Sequence, residues 1–127
     1  MKEIMAIIRL NMMNKTKDAL SQAGFPSITC RKVMGRGKKK VDFSLIQSIV
    51  EENALQAPRL AEELSEGHRL VPKRFVTLIV NDEEVQKVVD TIMEVNSTGN
   101  PGDGKIFVLP ISDVYRVRTG EAGEEAI

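Results

Sequence analysis

Apolar and polar positions along this chain form two similar blocks, separated by a stretch with no clear period. Ile4 to Ile8 is a compact apolar run closed by Arg9, short enough for a strand buried on both faces. Ala19, Leu20 and Ala23 then recur at helical spacing, with Asn14 placed to cap a short amphipathic helix and Gly24 to end it in left-handed backbone. Phe25-Pro26 restores an extended chain, and Ile28 to Val33 alternates as a second strand that Gly35 and Gly37 terminate. The second block opens with the β-branched run Phe75 to Val80. Asn81 and Glu84 follow at capping-box spacing, and Val85, Val88, Val89, Ile92 and Val95 mark one helical face. After the turn TGNPGDG, Ile106 to Leu109 makes a fourth strand, Tyr115 to Val117 adds a short edge piece, and the tail GEAGEEAI reads as acidic and solvated.

Between the blocks, from Lys38 to Pro72, Phe43, Leu45, Ile46, Ile49 and Val50 mix with Glu51, Glu52 and Asn53 at no single period. Leu60 and Leu64 would suit one helical turn started by Pro58, which predicts a long, partly helical excursion. Loops of this length in compact domains are usually functional or disordered. The order βαβ, insertion, βαβ predicts an α+β chain of the ferredoxin-like split βαβ type (βαββαβ), with both helices on one face of an antiparallel sheet. Apolar residues on both sides of its strands predict that the other face packs against further subunits.

Composition narrows the function. At 127 residues the chain is most simply one domain over its whole length. Lys plus Arg equals Asp plus Glu at 18 each, so no global field pulls it onto nucleic acid or an anionic membrane, and anion recognition must be local. A single cysteine, Cys30, permits no internal disulfide, and with one histidine, His68, it makes no conventional zinc site. The apolar run near the N-terminus has no leader-like features, and no segment approaches the roughly 20 residues of a membrane span. A cytoplasmic protein with no membrane insertion is expected.

Three constellations could carry chemistry. In TGNPGDGK, Thr98 to Lys105, glycines let the backbone approach a ligand and successive N–H groups can nest an anion beside the Lys105 charge, although an ordinary helix-to-strand turn explains the same residues. It is not the Gly-Lys-Ser/Thr phosphate loop. GRGKKK, Gly35 to Lys40, could offer ammonium groups to phosphates or carboxylates, or be a solvated basic loop; no aromatics interleave it for base stacking. In YRVRTG, strand spacing would put Arg116 and Arg118 on one face, which asks for an anion between or beyond them. No carboxylate or Ser/His/Asp spacing argues for catalysis, so a small nucleotide-dependent enzyme is a weaker reading.

Taken in order, KEIMAIIR, ITCRKVMGRGK, Pro72-Lys73 before a strand, TGNPGDGKIFV and YRVRTGEAGEEAI resemble the nitrogen-regulatory PII (GlnB-like) signalling family over nearly the whole chain except residues 41–70. The resemblance implies a homotrimer binding ATP or ADP in clefts between subunits, with 2-oxoglutarate beside ATP at the base of a long T-loop, here about residues 37–72. It implies that Gly102, Asp103, Gly104 and Lys105 form a phosphate turn. Arg116 and Arg118 would reach nucleotide phosphates, one of them across the subunit boundary, and Ile7, Thr29, Met34, Gly35 and Ile79 would line the cleft. Gly37 and Lys38 would open the T-loop, Lys38 supplying a cation to phosphate. Arg9 and Lys73, with Lys39 and Lys40, would surround the carboxylates of 2-oxoglutarate. Most members carry Gln at the position of Lys39, whose oxygen helps hold Mg²⁺; a protonated lysine cannot ligate a metal. The T-loop also lacks the family's tyrosine for uridylylation, the only tyrosine being Tyr115.

GRGK at the loop root, a divergent loop and NPGDGK are similar to the NifI subgroup, most like the second of its paired paralogues. That resemblance implies assembly with a paralogous PII-like subunit and direct control of nitrogenase by binding the dinitrogenase component. ATP and 2-oxoglutarate would release the complex. Phe43, Leu45, Ile46, Val50 and Arg59 would form the partner-binding part of the loop. The alternative within the family is regulation of an ammonium channel or another nitrogen-assimilation target.

Overall fold

The computed structural model describes residues 1–37 and 70–127. Four strands, β1 (Lys2–Arg9), β2 (Thr29–Gly35), β3 (Val71–Val80) and β4 (Lys105–Pro110), and two helices, α1 (Met13–Gln22) and α2 (Val85–Asn96), follow in the order β1-α1-β2-β3-α2-β4. The sheet order is β2-β3-β1-β4, with β1 antiparallel to both β3 and β4. This is the split βαβ arrangement the periodicity predicts. By contact the chain divides into two compact units, Met1–Val33 with Pro72–Ile127 and Met34–Val71. In the second, the described residues are Met34 to Gly37, Leu70 and Val71, all exposed but for the half-buried Gly35.

Period two decides which side of the sheet is buried. Ile4, Ala6 and Ile8 of β1 and Val76, Leu78 and Val80 of β3 point to one face, where Leu20 of α1 and Val88 and Ile92 of α2 complete the core. Each fully buried aliphatic side chain there contributes about 1.5–3 kcal/mol. Asn96 ties the two helices together, its Nδ2 donating to Thr16 Oγ1 at 3.0 Å and to Ile92 O at 2.9 Å, so the end of α2 is fixed. On the opposite face Met5 and Ile7 are half-buried and Phe107 and Leu109 are exposed, so within one chain β1 is fully covered on one side only.

Local signals hold with small shifts. Asn81 and Glu84 make the reciprocal capping box, Asn81 N donating to Glu84 Oε2 at 3.1 Å ahead of α2. Gly24 ends the α1 segment at φ +99°. The α1 helix begins at Met13 behind a 3₁₀ turn, Leu10–Met12, with no side-chain cap, so Asn14 lies inside it. The C-terminus departs from expectation. Tyr115 to Val117 is not an edge strand, and the tail is not merely solvated. Tyr115 bridges Ala122 alone, Arg116 N donates to Glu121 O at 2.8 Å, Gly120 N donates to Arg116 O at 2.7 Å, and a 3₁₀ turn, Gly123–Ala126, follows. The cause is local: Gly120 at φ +74° reverses the chain, so the arginine segment pairs with its own tail and not with the sheet.

Candidate functional site

The fixed end of α2 leads into the Thr98 to Gly104 turn, and this turn closes around one carboxylate. Asp103 Oδ2 accepts from Thr98 N at 2.7 Å and Gly99 N at 3.0 Å; Oδ1 accepts from Thr98 Oγ1 and from Arg9 Nη1, both at 2.5 Å. The Thr98 hydroxyl foremost, then the Thr98 N–H and the Arg9 guanidinium, hold this carboxyl well below the usual carboxylate range against the opposing effect of desolvation. Because the folded value is the lower one, the carboxylate's stabilisation of the turn is fully present above the ordinary value near 3.8 and is lost as pH falls from there through the depressed value. Amide protection factors at Thr98 and Gly99, measured against the intrinsic rate at each pH, are therefore expected to stay high at pH 5 and to fall only in stronger acid.

Two strands clamp the turn from below. Arg9, the last residue of β1, also donates from Nη2 to Pro101 O at 3.1 Å, and Lys73 of β3 donates from Nζ to Gly102 O at 3.0 Å. Arg9 and Lys73 are direct partners in the β1–β3 register, a placement of like charges that normally destabilises a sheet. Among the described residues one carboxylate and two carbonyls offset them, fewer negative charges than positive ones. Gly102 and Gly104 adopt φ +101° and +115°, and a Cβ on Gly104 would stand 1.8 Å from Ile7 O, so the turn lies directly on β1. Lys105 begins β4 beside Ile7, exposed. A tight glycine turn over such cations can receive an anion.

Across the open sheet face, Ile7 pairs with Phe75, whose ring carries the Arg31 guanidinium 4.8 Å from its centroid. Ile79 lies four residues further along β3, about 13 Å away at the usual strand rise, opposite Glu3. Thr29 opens β2, exposed; Met34 is exposed near the end of β2, Gly35 closes it, and Gly37 lies beyond. Arg116 donates to Glu121 Oε2 at 2.7 Å and Glu125 O at 3.0 Å, while Arg118 is exposed in the adjoining turn, so the pair does not share a strand face. The structure thus gathers Arg9, Lys73, Gly102, Asp103 and Gly104, with Ile7 and Lys105 alongside. Arg116 is held in the C-terminal hairpin, apart from that clamp. Lys38, Lys39, Lys40, Phe43, Leu45, Ile46, Val50 and Arg59, with His68, lie outside the described residues.

Sequence reasoning missed Thr98, Arg31, Phe75 and Glu121. The Thr-x4-Asp spacing of Thr98 and Asp103 was the available signal for the first. Among the described residues no group of three His, Cys, Asp or Glu side chains could hold a metal ion, and no helix is long and apolar enough to cross a membrane.

The family model described as "Nitrogen regulatory protein P-II" matches residues 1–121. The chain is 52% identical over 128 residues to "Nitrogen fixation nifHD region GlnB-like protein 2" of Methanobacterium ivanovii, covering 100% of this chain and 99% of the relative. It is 42% identical over 127 residues to the nifHD1 region GlnB-like protein 2 of Methanosarcina barkeri, covering 100% and 99%. Against "Nitrogen regulatory protein P-II 2" of Methanothermobacter thermautotrophicus the identity is 39% over 127 residues, covering 100% and 97%.

Proposed function

Since the chain belongs to the nitrogen regulatory protein P-II family, signalling regulators and not enzymes, we propose that it reports nitrogen status to nitrogenase through bound ATP or ADP and 2-oxoglutarate. The relatives named for nitrogen-fixation regions support a role in regulating nitrogen fixation, and favour a nitrogenase target over an ammonium channel.

One observation carries the ligand reading: a positive-φ glycine turn clasped by two opposed cations, Arg9 and Lys73, that have one carboxylate between them among the described residues. A nucleotide phosphate fits over Gly102, Gly104 and Lys105, and a dicarboxylate fits against Arg9 and Lys73; the part of Lys39 and Lys40 rests on the family resemblance alone. Ile7 and Ile79 are too far apart along the sheet to meet in one chain, so a cleft built from both needs two copies. Three copies packed through the half-exposed face of Met5, Ile7, Phe107 and Leu109 would supply it, with Thr29, Ile79 and one of Arg116 and Arg118 coming from the neighbour. The T-loop expected at about residues 37–72 gives way to β3 at Val71, so Val71 and Pro72 belong to the sheet, and the loop before them would carry Phe43, Leu45, Ile46, Val50 and Arg59 to the dinitrogenase component. Ligand occupancy works by shifting the population of loop states, and only a ligand that contacts those states unequally can do so. Magnesium does not fit the donors: the Asp103 carboxylate is already committed to N–H and O–H donors, and Lys39, whatever its place, carries an ammonium that cannot ligate.

Calorimetric titration tests the reading. ATP is expected to bind the wild type, and 2-oxoglutarate to bind the ATP-loaded protein. Lys73→Ala is expected to weaken 2-oxoglutarate by about 2–5 kcal/mol, the usual cost of stripping a buried charge of its partner. Its loss to ATP is expected to stay within about 0.5–1.5 kcal/mol, because Lys73 reaches the turn through a single carbonyl hydrogen bond. Equal losses for both ligands would count against the assignment.

A further inference from the structure

We propose that Asp103 is an internal competitor for the effector, occupying on Arg9 the place that a ligand carboxylate takes and thereby setting the affinity for 2-oxoglutarate. This rests on the ligand reading above and deepens it. The two oxygens of Asp103 divide their work. Among the described residues Oδ2 accepts from the main chain alone, Thr98 N and Gly99 N, and shapes the turn. Oδ1 accepts from the Thr98 hydroxyl and from Arg9 Nη1. Arg9 Nη2 is taken by Pro101 O, so both outer nitrogens of the guanidinium are engaged by the turn before any ligand arrives.

A dicarboxylate reaching Arg9 must then share a guanidinium with a carboxylate or displace it. Two carboxylates on one cation repel, and the weaker-held one withdraws. The Arg9 guanidinium can swing from Oδ1 to the ligand without loss of the turn, because Oδ2 still holds Thr98 and Gly99 and the Thr98 hydroxyl still satisfies Oδ1. The anchor and the competitor are thus separable on one side chain, and the excess positive charge of Arg9 and Lys73 is kept partly neutralised while no ligand is bound.

Asp103→Asn separates the two roles. The amide oxygen can take the place of Oδ2 and keep both N–H donors, while the amide nitrogen, a donor only, cannot accept from Arg9. Calorimetry on the full-length protein, with wild type and variant each saturated with ATP at its own affinity, is expected to show 2-oxoglutarate binding about tenfold more tightly to Asp103→Asn than to wild type, with the Thr98 and Gly99 amides still protected as the sign that the turn is kept. A merely structural role for Asp103 would weaken both ligands. Unchanged or weaker 2-oxoglutarate binding, or loss of ATP binding by the variant, overturns the inference. Failure of the wild type to bind either ligand overturns instead the reading on which it rests, and the inference with it. A second measurement needs no variant: on adding 2-oxoglutarate to the ATP-loaded wild type, the Arg9 side-chain ¹⁵N resonances should move while the Thr98 and Gly99 amides stay protected. Static Arg9 resonances in a protein that binds the effector would also overturn it.

Discussion

Gly104→Ala is expected to lower stability by about 2–4 kcal/mol and to abolish measurable ATP binding. The backbone at this position sits at φ +115°, which an L side chain rarely adopts, and the added Cβ would lie 1.8 Å from Ile7 O. That oxygen belongs to the middle of the sheet, since β1 is paired on both sides, by β3 and β4. It cannot retreat without breaking a ladder, so the turn must lift instead. Lifting it carries Asp103 away from Arg9 and Lys105 out of register with Ile7. Gly102→Ala makes the contrast: its Cβ would meet Arg9 Nη2 at 3.3 Å, the far end of a flexible side chain, so only the positive φ opposes it. Thermal denaturation of the two variants, with ATP titration, checks the order. A Gly104→Ala protein as stable as Gly102→Ala would show that the turn does not depend on its seat on β1.

Arg116→Ala is expected to weaken ATP binding by about 2–5 kcal/mol while scarcely changing the melting temperature. In the free chain this guanidinium is tied to Glu121 and to the Glu125 carbonyl, with both ends of the ion pair partly exposed. A pair of that kind is worth about 0–1 kcal/mol, so its loss alone cannot unfold the domain. A phosphate in a subunit cleft would value the same cation far more. Binding calorimetry and melting separate the two uses: normal ATP affinity with a loosened tail would make Arg116 only a latch for the C-terminus.

Much of the architecture was legible because period and punctuation agreed. Ile4, Ala6 and Ile8 alternate as a half-buried strand must, Val88 and Ile92 mark the inner face of α2, and the Asn81/Glu84 box sits where spacing put it. The first turns of β3 were not legible, since Pro72, Lys73 and Arg74 interrupt the apolar run although the strand begins at Val71. The C-terminal hairpin was missed for a related reason. It is made by Gly120 and Gly123 at positive φ and by short-range hydrogen bonds, none of which leaves a hydrophobic period.

The site was legible in its glycines and cations but not in its wiring. An aspartate between two glycines reads as a solvent-facing turn residue. Its inward orientation depends on Arg9, 94 positions earlier in the chain, and on a threonine hydroxyl that any helix-to-strand turn could carry. Only the fold brings these groups together. The resemblance named Arg9 and Lys73 together as expected carboxylate binders; that they stand directly opposite in the β1–β3 register is a finding of the fold.

The most direct measurement of the proposed role is the association of this protein, alone and mixed with a paralogous P-II subunit, with the dinitrogenase component in the absence and presence of ATP plus 2-oxoglutarate. A complex that forms without the two ligands and dissociates when both are added is the predicted result. A complex indifferent to them, or none under either condition, would contradict the account.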